Sequence, residues 1–140
     1  MAFDVRGVAP LLGVYDMPVS VHFYCDLLGF EIASHSPVTE EGYFHWAWLR
    51  LGKAEIMLNT NFESNKDRPA HPDRLRNVAH RDTCLYLGCP DVDAAYAELR
   101  GKGVEAKEPV VTHYGMKQMY LVDPDGYGIC FQWRAQNTFD

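Results

Sequence analysis

Basic residues are in deficit in this chain: 13 Lys and Arg against 19 Asp and Glu leave a formal charge of -6 over 140 residues. A nucleic-acid binder normally needs a cationic face to displace counterions from phosphates, and no basic stripe is visible here, so nucleic acid is not an expected partner. Long apolar runs are missing too. Nothing is long enough to span a bilayer, and Met1-Ala2-Phe3-Asp4-Val5-Arg6 lacks the apolar core of a signal peptide, so no membrane partner and a cytoplasmic location are expected. Cysteine is present only as Cys25, Cys84, Cys89 and Cys130, without zinc-ribbon or thioredoxin-like spacing, and in a reducing compartment these read as free thiols. No Ser-His-Asp order, phosphate loop or Cys-His nucleophile signature occurs.

What the chain does have is a plan stated twice. Val8 to Tyr15 reads as a strand, and Asp16 caps a helix with Pro18 in its first turn, where a missing amide donor costs nothing. Val21, Tyr24 and Leu28 make its apolar face before Gly29 ends it. Phe30 to Ser36, Tyr43 to Leu51 and, after the Gly52-Lys53 turn, Ala54 to Thr60 read as strands. The order recurs from Thr83. A strand runs to Cys89, and Asp91 caps a helix with Val92, Ala95, Tyr96 and Leu99 at apolar spacing. A strand follows from Val104, then two strands joined by Asp123-Pro124-Asp125-Gly126. Asp16 matches Asp91 at an offset of 75, and Ile56-Met57-Leu58 matches Ile129-Cys130-Phe131 at 73. So constant an offset means duplication. The fold class is therefore α+β, with a β-α-β-β-β module at 1-61, a linker or lid at 62-82, and a second module at 83-140.

Paired modules of this order, with Phe23-Tyr24-x-x-Leu27-Leu28-Gly29-Phe30 closing the first helix and Asp123-Pro124-Asp125-Gly126 before the last strand, resemble the glyoxalase, bleomycin-resistance and extradiol-dioxygenase superfamily. The resemblance covers nearly the whole chain. It implies curved mixed sheets whose concave faces enclose a ligand cavity, and in catalytic members four metal ligands there, usually His and Glu, two per module. Those positions fall here on Ala9, Met57, Cys84 and Cys130. None is His, Glu or Asp, so no metal or other cofactor is expected. A soft-metal site from Cys84, Cys130 and Met57 is the alternative. The resemblance also implies a homodimer.

Strand period two lists the lining of such a cavity. A two-residue turn at Gly52-Lys53 pairs Leu51 with Ala54, Leu49 with Ile56, and Trp48 with Met57. Trp46, Trp48, Met57 and Asn59 then share the cavity face, while Leu49, Leu51, Ile56 and Leu58 meet the helix. The second module adds Cys84, Tyr86, Cys130 and Gln132, with Met119 opposite Cys130 across the last hairpin; a bulge at the turn would reverse that parity and bring in Tyr120. Two indoles, a phenol, thioethers and amides suit a planar or aromatic, mainly uncharged small ligand. The expected function is binding or sequestration of such a molecule. An enzyme using His113, Tyr114 and Lys117, or a structural module whose aromatics fill a closed core, are the alternatives.

Overall fold

The computed structural model describes residues 3–60, 62 and 66–135. The expected module ends at 1–2, 61 and 136–140, and 63–65 of the expected linker, lie outside the described residues. The chain forms two compact units, Met1–Ala70 and His71–Asp140.

In the first unit β1 (Leu11–Val14) leads into α1 (Met17–Val21), whose cap Asp16 accepts a hydrogen bond from the Val19 amide at 3.4 Å. Beyond Val21 the winding widens to a π-helix over His22–Leu27, with the Leu28 amide donating to the Phe23 carbonyl at 3.0 Å. One continuous α-helix to Leu28 was expected. The wider turn admits one more residue, and Phe23 and Tyr24 both turn inward, packed edge-on at 5.0 Å. β2 (Glu31–His35), β3 (Trp46–Leu51) and β4 (Ala54–Thr60) complete a sheet of order β1-β4-β3-β2, with β1 parallel to β4 and the other pairs antiparallel.

The Gly52-Lys53 turn sets the register: Leu51 faces Ala54, Leu49 faces Ile56, Trp48 faces Met57 and Trp46 faces Asn59. Alternation does the rest. Leu12, Val14, Ala47, Leu49, Ile56 and Leu58 are buried, and each large aliphatic among them contributes about 1.5–3 kcal/mol. Part of the expected linker belongs to this unit. Arg68 pairs with Asp16 at 3.4 Å and lies over the Tyr15 ring, and the Tyr15 hydroxyl donates to the Pro69 carbonyl.

The second unit repeats the order. β5 (Cys84–Gly88), α3 (Val92–Gly101), β6 (Val110–Val111), β7 (Met116–Val122) and β8 (Gly128–Arg134) give a sheet of order β5-β8-β7-β6, with β5 parallel to β8. The Asp91 carboxylate accepts from the Ala94 amide at 2.9 Å and starts α3. The strand expected from Val104 is reduced to Val110–Val111, because Val104 is buried and its amide closes the helix by donating to the Leu99 carbonyl at 2.9 Å.

Two features of this unit depart from the sequence reading. Arg74–Ala79, inside the stretch read as a linker, is a helix, α2, capped by Asp73 and followed by a 3-10 turn at His80–Asp82. It docks on the last hairpin loop: Arg76 pairs with buried Asp125 at 2.9 Å, and His80 stacks on Tyr127 at 4.0 Å. The second departure is register. Val122 pairs with Gly128, so the loop holds five residues, Asp123 to Tyr127, rather than four. The Asp123 carboxylate accepts from the amides of Asp125 at 2.9 Å and Tyr127 at 2.8 Å, which draws Tyr127 into the loop. One extra residue shifts parity by one. Met119, expected opposite Cys130, faces Phe131 and is buried on the helix side; Tyr120 is the residue opposite Cys130.

Candidate functional site

Each sheet buries one face under its helix and leaves the other to be accounted for. In the first unit that open face carries Trp46, Trp48, Met57 and Asn59, all partly exposed, with Leu11 beside Met57 on β1. The indoles meet edge to face, centroids 6.4 Å apart at 86°, a geometry that aromatic pairs favour. The Trp48 Nε1 donor is buried with no hydrogen-bond partner among the described residues. Asn59 donates through Nδ2 to the Thr60 carbonyl at 3.3 Å. Toward the turn, Arg50 and Glu55 neutralise each other at 2.8 Å. The chemistry of this face is thus aromatic and thioether, with an amide at one end and an ion pair at the other.

The open face of the second unit is built differently. Cys84, Tyr86, Gln118, Tyr120, Cys130 and Gln132 share it by register. The Tyr86 and Tyr120 hydroxyls are 2.8 Å apart, and Tyr120 also donates to Gln118 Oε1 at 3.3 Å. Gln118 Nε2 donates to Gln132 Oε1 at 2.9 Å and to the Tyr114 hydroxyl at 3.2 Å. The bond with Tyr86, then burial, holds the Tyr120 phenol above its ordinary range, so it is neutral and able to donate at physiological pH. Gln118 was missed as a partner of Gln132, and Tyr120 takes the place that a reversed parity at the turn gives it. The signal that would have found them is the parity of the last hairpin, which Tyr127 decides.

The two remaining thiols on this face are poor nucleophiles. Burial raises the Cys84 thiol, partly offset by a hydrogen bond with Tyr86, and burial likewise raises Cys130. Of the four positions that the family resemblance aligns with metal ligands, Ala9 has no donor, Met57 is a thioether, and Cys84 and Cys130 are thiols that burial raises. Zinc, nickel, iron or manganese is held by imidazole, carboxylate or thiolate, and neither Ala9 nor Met57 supplies one. Among the described residues no group of three or more His, Cys, Asp and Glu gathers into a candidate metal set. His113 packs edge-on to Tyr114 at 5.0 Å, and Lys117 is tied to Asp93 on the helix side of the sheet, apart from the tyrosines.

Residues 8–131 match the family model described as Glyoxalase/Bleomycin resistance protein/Dioxygenase superfamily. The chain is 32% identical over 115 residues to the uncharacterized protein YaeR of Escherichia coli (strain K12), covering 79% of this chain and 82% of that one. It is 30% identical over 125 residues to a probable lactoylglutathione lyase of Synechocystis sp., covering 85% of this chain and 88% of that one. Its fold is similar to the crystal structure of TnmS3, an antibiotic binding protein from Streptomyces sp. CB03234, with a TM-score of 0.62 at 25% identity over 96% of this chain and 99% of that one. Among the described residues no helix is long and apolar enough to cross a membrane.

Proposed function

The chain belongs to the Glyoxalase/Bleomycin resistance protein/Dioxygenase superfamily, and from that premise we propose that it binds and sequesters a small planar, mainly uncharged molecule without a metal. The observation that carries this reading is the open face of the first sheet: two crossed indoles beside Met57, with a buried indole donor lacking a partner among the described residues. A ligand ring stacks on such a surface, and aromatic contacts add about 0.5–1.5 kcal/mol each beyond the area they bury. Asn59 at one end of this face supplies a neutral hydrogen-bonding group that orients rather than charges. Ala9, Met57, Cys84 and Cys130 in place of His and Glu support loss of the metal site. The similarity to an antibiotic binding protein agrees with sequestration. The protein acts as a homodimer in the cytoplasm.

The test is a screen of planar heteroaromatics by tryptophan fluorescence. A saturable change is expected, and Trp48→Ala should weaken the affinity of a validated ligand at least ten-fold. Unchanged affinity in that variant would remove the first sheet's open face from the site. The similarity to a probable lactoylglutathione lyase favours a second reading, a superfamily lyase working through acid/base side chains; turnover by chelator-treated protein distinguishes it from sequestration.

A further inference from the structure

The hydrogen bonds on the open face of the second unit run in one direction, which follows from counting protons. A phenol has one proton to donate, whereas a primary amide has two donors on its nitrogen and an acceptor oxygen. Tyr120 spends its proton on Gln118 Oε1 at 3.3 Å. The 2.8 Å bond between the two phenols therefore carries the proton of Tyr86. Gln118, only 7% exposed, is complete: its oxygen accepts from Tyr120, and its nitrogen donates to Gln132 Oε1 at 2.9 Å and to the Tyr114 hydroxyl at 3.2 Å. Burial makes that completeness necessary, because a buried amide group left unmet is costly.

What the network leaves unspent is donors. The two N–H groups of Gln132 Nε2 and the O–H of Tyr114 have no acceptor among the described residues. Gln132 lies directly opposite Gln118 by register, and it and Tyr114 are both held on the same Gln118 nitrogen, so these donors are neighbours. Tyr114 is exposed and Gln132 half-buried, which leaves them open to a molecule on this face. The other end of the network, at Tyr86, has its proton spent and offers only a phenol oxygen, a weak acceptor because its lone pair is drawn into the ring. Resting on the sequestration reading above, we propose that this face selects planar aromatic ketones and related carbonyl compounds, with Gln132 Nε2 donating to the carbonyl oxygen and Tyr114 as the second donor. Such a ligand adds a hydrogen bond without displacing one. A ligand that brings only N–H or O–H donors meets groups of its own kind at Gln132, and gains nothing there.

The experiment is an NMR titration of the full chain with three planar tricycles: 9-fluorenone, which only accepts, carbazole, which only donates, and fluorene, which does neither. Fluorenone is expected to bind about three- to ten-fold more tightly than fluorene, the range that one neutral hydrogen bond provides, and to shift the Gln132 side-chain amide. Gln132→Glu keeps an oxygen for Gln118 and removes both N–H groups, so fluorenone should lose its advantage and carbazole should gain one. Where that variant fails to fold, Gln132→Leu should bring fluorenone and fluorene level. A preference for carbazole in the unaltered protein, a fluorenone advantage that survives these substitutions, or an unmoved Gln132 amide would each overturn the proposal. Equal shifts of the Trp46 and Trp48 indoles with all three tricycles would overturn it while leaving sequestration standing. Absence of saturable binding by all three would overturn it too, with sequestration then decided by the fluorescence screen alone.

Discussion

Replacing Gly126 by Ala tests the docking of α2 on the last hairpin loop. Gly126 has φ +92, and a Cβ there would lie 2.3 Å from the Asn77 carbonyl oxygen of α2. Two costs add. An alanine in the left-handed region costs about 1–2 kcal/mol. Relieving the clash requires α2 to withdraw by roughly 1 Å to reach ordinary contact distances. That movement breaks the 2.9 Å Arg76–Asp125 bond and the 2.7 Å contact of His80 Nδ1 with the Asp125 carbonyl. Asp125 is only 2% exposed, and a hydrogen bond to a charged group is worth about 1.5–3 kcal/mol. A loss of about 3–4 kcal/mol is therefore expected in urea denaturation, together with faster amide exchange through Arg74–Ala79. Gly101→Ala is the control, because nothing lies within 4 Å of its added Cβ; it should be neutral or stabilising by up to about 1 kcal/mol. A loss below about 1 kcal/mol in Gly126→Ala, with α2 still protected, would refute the reasoning.

Three further outcomes are expected. Protein purified without chelator should contain no stoichiometric zinc, nickel, manganese or iron by elemental analysis, and one metal per chain would overturn the metal-free reading. Burial, then Asp26, pushes the Cys25 thiol up from 9.0 to about 11, so the folded state resists its ionisation. The stability tied to that neutral thiol is whole below pH 9 and is lost as pH rises toward 11; Cys25→Ala should flatten this part of the pH profile in urea titrations, and an unchanged slope would assign the loss elsewhere. Light scattering at micromolar concentration should return about twice 15.9 kDa, and a clean monomer would sink the dimer.

The repeated architecture was readable because it rests on strong local signals. Asp16 and Asp91 both cap helices, and the alternating runs around Gly52-Lys53 pair in the register that a two-residue turn dictates. The second hairpin was harder, because Asp-Pro-Asp-Gly looks like a complete four-residue turn. The Asp123 carboxylate reaches the Tyr127 amide and captures a fifth residue, a side-chain interaction invisible to periodicity. α2 escaped for another reason. Leu75 and Val78 are exposed, so the helix has no apolar stripe to announce it, and its anchors are an arginine and a histidine that meet residues nearly fifty positions away. The π-helix carries no sequence mark either, since neither Pro nor Gly interrupts His22–Leu27.

The two open faces have diverged in a way that bears on where binding energy arises. Met57 and Cys130 occupy equivalent positions, yet their surroundings differ in what remains unsatisfied. Around Met57 the indoles contact each other only edge to face, and the Trp48 donor has no partner among the described residues, so a ligand there gains contacts without breaking any hydrogen bond. Around Cys130 the groups already bind one another: Tyr86 to Tyr120, Tyr120 to Gln118, and Gln118 to Gln132. A ligand touching that network must replace each bond it displaces, and the exchange of one neutral hydrogen bond for another is nearly neutral in free energy. Affinity is therefore expected to come from the Trp46 and Trp48 face. The tyrosine and glutamine network can reject a molecule lacking matching donors and acceptors, because displacing it without replacement leaves polar groups unpaired. Exchanging the indoles for alanine is therefore expected to weaken binding at the first face, whereas trimming the tyrosine pair changes which molecules the second face admits.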